Sequence, residues 1–253
     1  MSLYNRLISS LGMGSCQVDT LLDADRFVPG QRVAARVLVK GGAIGQHIHG
    51  VYFALHCRYQ QREDSHVQTQ EVELAHFQLP VGLTVGAREE LEIPIAFQLP
   101  EFTPLTMGKT QVWLSTGLDI RQARDPSDED VLEVVPQPLV AELLVAMTRL
   151  GFVQDLVHTE AVSSMARVSA PYLQMFHYHV GEGPFEGRIE EMELAIVPAE
   201  GGLYLHAEAT RTGRGMAAAV SRILEESGDR QRRRLTPELV ENLQQHIEQL
   251  LVD

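Results

Sequence analysis

The sequence predicts a mostly-β protein with two tandem sandwich domains, a linker helix and a helical C-terminal tail. Apolar and polar side chains alternate along several short stretches, turn-forming residues separate these stretches, and the pattern resumes after one helical segment in mid-chain. Alternation with a period of two is the mark of strands that bury one face. Many short strands with near-regular turns are typical of sandwiches and not of parallel α/β sheets.

Composition narrows the partners that we expect. The chain has 253 residues, enough for two domains with proper cores, and its 34 acidic and 21 basic side chains give a net charge of -13. An acidic surface disfavours nucleic acid and anionic lipid. No apolar stretch reaches the length that a bilayer requires, so we expect no stable membrane insertion. The two cysteines, Cys16 and Cys57, lie in strand-like contexts and are predicted to be reduced core thiols of a cytoplasmic protein.

The first half contains the most regular strand patterns. They cover residues 33–40, 51–60 and 91–99, and less regular ones cover 17–22, 71–79, 110–116 and 131–135. Pro94 places its strand at a sheet edge or a bulge, because proline cannot donate to a ladder. Turns are predicted at Pro29-Gly30, at Pro80-Val81-Gly82 and between Pro100 and Pro104.

The second half begins after a polar stretch at 121–130 and the stiff spacer Pro136-Gln137-Pro138. A helix is predicted over 139–150, closed by Gly151, and strands over 172–180, 192–196 and 203–209. The last two strands are expected to form a hairpin. These boundaries predict an N-terminal sandwich over 1–135, a linker helix and second sandwich over 136–228, and a C-terminal amphipathic helix over 229–253.

The C-terminal tail carries two further helix patterns and a basic cluster. One helix is predicted over 216–226. Thr236-Pro237 provides a cap and a first-turn proline for the last helix. The apolar face of that helix consists of Leu239, Leu243, Ile247, Leu250 and Leu251. The basic cluster is 230–234, and together with the terminal helix it is a candidate binding element.

Short motifs in this sequence are shared with one protein family. They include Gly14-Ser15-x-x-Val18-Asp19-Thr20, Leu74-Ala75-x-Phe77, Ile93-Pro94, Thr103-Pro104-Leu105-Thr106, Val112-Trp113-Leu114-x-Thr116-Gly117-Leu118-Asp119-Ile120 and Asp125-Pro126-x-Asp128. Together they resemble the bacterial sporulation-control protein family, whose fold is arrestin-like, with two β-sandwiches in tandem. The resemblance is dense over residues 1–151 and thinner beyond, where Met175, His177 and Thr212 stand at positions that are charged in the family. It implies a non-enzymatic cytosolic regulator or adaptor.

Two His-x-His pairs suggest an alternative function. His47 with His49, and His177 with His179, would each lie on one face of a strand, as a metal site requires. Zinc needs a third and usually a fourth ligand, and spacing nominates none. A metal- or small-molecule-binding protein is therefore the alternative, and no metal ligand is assigned.

No motif predicts catalysis. Gly108-Lys109-Thr110 resembles the end of a phosphate-binding loop, but the glycine required five positions earlier is replaced by Thr103. The segment 116–120 is interpreted as a tight turn that needs Gly117, with Asp119 capping backbone amides. We therefore assign no catalytic residues and no cofactor, and expect that the protein is not an enzyme.

The function predicted from the sequence is that of an adaptor, which binds protein partners through sandwich edges or grooves. The terminal helix can equally pack on its own chain or on a second copy, so a homo-oligomeric structural protein is the other alternative. Neither the partner nor the regulated process follows from the residues.

Overall fold

The computed structural model describes residues 16–63, 66–120, 126–161, 172–199, 202–211 and 232–250. The strands of the first half are β1 (Gln17–Leu22), β2 (Arg26–Phe27), β3 (Arg32–Lys40), β4 (Gln46–Glu63), β5 (His66–Val85), β6 (Glu90–Gln98), β7 (Gln111–Ile120) and β8 (Ser127–Val134). Helix α1 (Pro138–Arg149) follows. The remaining elements are β9 (Phe152–Ala161), β10 (Tyr172–Val180), β11 (Ile189–Ala199), β12 (Gly202–Arg211), β13 (Arg232–Arg234), α2 (Pro237–Glu241) and α3 (Leu243–Leu250).

The first eight strands form a sandwich of two sheets. A three-stranded sheet has the order β1-β3-β6, and a five-stranded sheet has the order β2-β8-β7-β4-β5. Alternation along β3 explains the packing, because its inward side chains are almost completely buried. They are Val33, Ala35, Val37 and Val39. The facing sheet buries Val51, Leu55, Cys57, Leu114 and Leu118.

The later strands form one antiparallel sheet in the order β13-β12-β11-β10-β9. Helices α1, α2 and α3 pack on one of its faces, where Met147, Leu239 and Leu243 share a small cavity with Leu194 and Leu205. Both faces of β10 are largely buried. Within the described ranges, no helix is long and apolar enough to cross a membrane.

Local signals in the sequence locate several elements correctly. Helix α1 begins at Pro138, and Gly151 follows its end with φ +87°. Thr236 caps α2 by accepting a hydrogen bond from the Leu239 amide at 3.2 Å. Pro94 lies in β6, which is an edge strand as predicted. The mostly-β fold class is confirmed, and β11 and β12 form the expected hairpin.

Two predicted turns are wrong. Pro80-Val81-Gly82 lies within β5, where Val81 and Gly82 together oppose His49 in a β-bulge and Gly82 adopts φ +58°. The segment 116–120 is the end of β7, and Asp119 is exposed on this strand. Gly117 is required instead by packing, since a Cβ there would lie 2.1 Å from Cζ of Tyr52.

Other elements differ from the sequence pattern. The pattern did not predict β2, β9 or β13, and the terminal helix is divided at Asn242. The C-terminal part of the basic cluster is β13, at the edge of the later sheet. The predicted helix over 216–226 lies outside the described residues, as do residues 230–231 and residues 121–125 of the predicted polar boundary. From Ser127 onward that boundary is part of strand β8.

Candidate functional site

An apolar groove lies where the first sandwich meets the later sheet. It is bounded by the loop after β6, the start of α1 and strands β10 to β12. Its cavity volume is about 60 Å³, within a space of about 510 Å³ that includes the part open to solvent. Most of its lining residues are apolar, and prolines, aromatic residues and aliphatic residues all contribute. The apolar lining includes Pro29, Pro104, Pro198, Phe102, Tyr172, Phe176, Leu105, Val140, Ile196 and Leu203.

The side chain of Gln174 joins the two walls of this groove. Its Oε1 accepts a hydrogen bond from the Leu105 amide at 2.9 Å, and its Nε2 donates to the Leu105 carbonyl at 2.7 Å. The primary amide thus pairs with one backbone residue as a neighbouring strand would. Because Gln174 is buried, each of these four polar groups depends on the other wall for its partner.

Further contacts hold the same junction. The Gln137 Nε2 donates to the Pro29 carbonyl at 3.1 Å, and the hydroxyls of Thr110 and Thr159 lie 3.2 Å apart. Gly108 adopts φ +59°, and a Cβ there would lie 2.6 Å from the Val157 carbonyl oxygen. The two walls therefore approach within backbone contact distance, which keeps the groove in a fixed shape.

The chemistry of the groove suits binding by shape. Its buried amide, Gln174, already uses both ends within the protein. What remains for a ligand is the partly exposed surface of Phe102, Tyr172, Ile196, Pro198 and Leu203, with Glu101 and Gln137 as polar groups in the lining. Such a lining binds apolar side chains of an extended segment.

A second polar cluster lies inside the first sandwich, where β1 meets β7 and β8. The Asp128 carboxylate accepts from the Thr20 amide at 2.9 Å, and the Thr20 hydroxyl donates to Thr116 at 2.7 Å. Burial raises the pKa of Asp130 to about 7, helped by the charge of Asp128 and a hydrogen bond to it. Burial and Asp128 also raise the pKa of Asp19. The alternating Asp128-x-Asp130 is the sequence signal that was missed.

The His-x-His pairs find other partners. The His47 Nδ1 lies 3.1 Å from the Thr84 hydroxyl, and its ring meets that of His49 at 4.6 Å. His177 pairs with Glu193 at 3.1 Å, whereas His179 pairs with Asp155 at 2.6 Å. Across the residues that the structure describes, no three His, Cys, Asp or Glu side chains are grouped as metal ligands.

The structure places a further histidine, His158, next to His177, which the sequence did not indicate. His158, on the neighbouring strand β9, stacks on the His177 ring with centroids 4.9 Å apart and contacts Glu160. Its nearly complete burial makes this histidine part of the sheet packing.

The remaining candidate residues have structural positions. Gly108-Lys109-Thr110 is the loop that leads into β7, and the Lys109 amide approaches the Val157 carbonyl at 3.4 Å. Cys16 and Cys57 are buried free thiols, and burial raises the pKa of Cys57 to about 12. A thiol with so high a pKa is a poor nucleophile.

Comparison with known proteins agrees with this architecture. Residues 4–213 match the family described as SpoOM protein. The chain belongs to the SpoOM protein family. It is 33% identical over 216 residues to the sporulation-control protein Spo0M of Bacillus subtilis (strain 168), which covers 85% of this chain and 83% of that protein. The resemblance inferred from the motifs is therefore confirmed.

A crystal structure of the Bacillus subtilis Spo0M superposes on this chain with a TM-score of 0.82 and 29% identity. The superposition covers 94% of this chain and 98% of that structure, so the whole architecture is shared. The sequence match to the family ends at residue 213, before β13, α2 and α3. Family membership supports a regulatory role for the chain.

Proposed function

We propose that this chain is a non-enzymatic cytoplasmic regulator that binds protein partners by holding an extended apolar segment in the groove between its two parts. The observation that carries the proposal is the fixed apolar groove itself, with its walls joined by Gln174. The regulatory role of the Spo0M relative supports the same reading.

The groove favours an extended peptide over a compact ligand. The partly exposed side chains of Phe102, Tyr172 and Pro198 offer rigid surface that loses little conformational entropy on binding. A groove whose shape is held by hydrogen bonds before the partner arrives also avoids an ordering cost. A partner segment rich in proline or large apolar residues would use this surface best.

The test is affinity capture from the native host followed by mass spectrometry, with two forms of the full chain as bait. Leu203→Arg places a charge in the groove lining, whereas Val131→Arg places the same charge on a side chain that is 78% exposed elsewhere. We expect at least one partner to be retained by wild type and Val131→Arg and lost by Leu203→Arg. Peptides from that partner should then bind the purified protein with the same pattern.

The proposal fails if wild type and Leu203→Arg retain the same partners in equal amount. It also fails if the purified chain turns over a substrate and a single substitution abolishes that turnover. Thermal unfolding of both variants controls for misfolding, because a folded Leu203→Arg is needed to attribute the loss to the groove.

A further inference from the structure

Helix α1 has an outward face that is only partly covered within the part of the chain that the structure describes. Val140, Leu143 and Met147 point into the core, whereas Val145 on the opposite side is 49% exposed. Glu142 and Arg149 lie on the same outward stripe, one turn before and one turn after Val145. Neither of these two charged side chains forms an ion pair with any residue that the structure describes.

This outward face forms one wall of a groove. The other wall consists of α2 and α3, through Val240, Glu241 and Gln244, and the space between them measures about 1080 Å³, including its open side. Ala141 and Ala146 line the groove together with Val145. We name this feature the helical groove. Small side chains along such a groove let a further helix approach closely.

The charges along this stripe of one copy are complementary to those of a second copy. If two copies of α1 cross antiparallel at Val145, Glu142 of each copy lies beside Arg149 of the other. A parallel crossing would instead bring like charges together. A two-fold axis repeats each contact, so a single complementary pair of positions gives two ion pairs in the assembly.

We propose that the protein forms a two-fold symmetric dimer in which α1 of each copy lies in the helical groove of the other, with the helices antiparallel. The exposed Val145 of the two copies then meets at the axis and is buried there. This dimer is independent of the partner groove in the preceding section and uses the opposite face of α1.

The contact is limited in size. An interface made by one helix and two short neighbouring helices per copy would bury a total area at or below the lower end of the range for specific interfaces, roughly 1,200 Å². We therefore expect a reversible dimer with a dissociation constant in the micromolar range.

The test uses charge exchange in the full chain, measured by sedimentation velocity and light scattering from about 1 to about 200 µM. Arg149→Glu gives each copy two acidic positions, and Glu142→Arg gives each copy two basic ones. Each variant alone should dimerise roughly tenfold more weakly or worse, because like charges now meet twice. An equimolar mixture of the two variants should restore dimers, and so should the doubly exchanged chain.

Glu129→Gln serves as a control, because Glu129 is exposed on β8 in the first sandwich. The proposal is overturned if wild type remains monomeric throughout this range. It is also overturned if the single variants dimerise as well as wild type, or if mixing them fails to restore association. The capture experiment with Leu203→Arg is unaffected by any of these outcomes, so the two proposals fail separately.

Discussion

Asp130 lies close to two other carboxylates, those of Asp128 and Asp19, at the junction of the two sheets of the first sandwich. Burial and the charge of Asp128 raise its pKa to about 7, compared with about 3.9 for an exposed aspartate. The folded state therefore binds a proton more tightly than the unfolded state does. The free energy of unfolding must then fall as the pH rises from about 4 to about 7, because that proton is lost from the folded protein.

We expect Asp130→Asn to flatten this dependence, since the amide cannot ionise and no longer repels Asp128. At about pH 8 the variant should be more stable than wild type, and at about pH 5 the difference should shrink. Urea denaturation at several pH values measures this directly. Glu129→Gln, on the exposed side of the same strand, should leave the slope unchanged. Equal slopes for wild type and Asp130→Asn would contradict the assignment.

Gly108 and Gly82 illustrate two different physical reasons why a position requires glycine. Both adopt positive φ near +58°, but a Cβ on Gly108 would lie 2.6 Å from the Val157 carbonyl oxygen, whereas a Cβ on Gly82 meets nothing within 4 Å. Gly82→Ala should lower the free energy of unfolding by about 1 kcal/mol, because alanine is disfavoured at a positive φ. Gly108→Ala should cost about 2 to 4 kcal/mol, because it also forces the two parts of the molecule apart. Chemical denaturation of both variants checks this, and equal losses would contradict it.

Gly117 and Gly82 show why two turns were predicted wrongly. Gly117 is a glycine because the Tyr52 ring from β4 lies over it, and Gly82 is one because of a bulge opposite His49. Both reasons depend on a neighbouring strand. The sequence alone shows only a glycine two positions from a proline or an aspartate, which is also typical of turns.

At the scale of elements, the signals that lie within an element were sufficient to predict it. Pro138 and Gly151 bracket α1, and Thr236-Pro237 begins α2. Strand β9 was missed because His158 and Thr159 are both buried, which removes the alternation of apolar and polar residues. Strand β13 has three arginines and gains its conformation only by pairing with β12.

The cap of α2 gives a prediction for an element. Thr236→Ala removes the acceptor for the Leu239 amide, and should lower the free energy of unfolding by about 1 kcal/mol. Thr236→Ser keeps the hydroxyl and should recover most of the loss. Thermal unfolding of the three proteins measures both effects. If Ala and Ser behave alike, the hydroxyl does not stabilise the helix.

At the scale of the whole molecule, alternation and the shared motifs predicted the fold class and named grooves as one kind of binding surface, but they did not predict which residues line this groove. Its walls come from Pro29, Leu105, Gln174 and Leu203, which are far apart in the chain and meet only after both sheets have formed. In the sequence, nothing distinguishes Gln174 from other polar residues on a strand. Its role depends on the position of the Leu105 backbone, which no spacing encodes.

The Gln174 clamp predicts how the two parts unfold together. Gln174→Glu keeps an acceptor for the Leu105 amide but places a carboxylate oxygen against the Leu105 carbonyl, which now lacks a donor. A buried unsatisfied group costs about 1 to 3 kcal/mol, so we expect a loss of at least that size. Trp113 is the single tryptophan and lies in β7, so its fluorescence follows the unfolding of the first sandwich. Circular dichroism follows the unfolding of all strands.

The urea transitions measured by fluorescence and by circular dichroism should coincide in wild type and separate in Gln174→Glu. Gln154→Glu, an exposed position on β9, should leave them coincident, and a Gln174→Glu protein with unchanged, coincident transitions would show that the clamp does not couple the two parts.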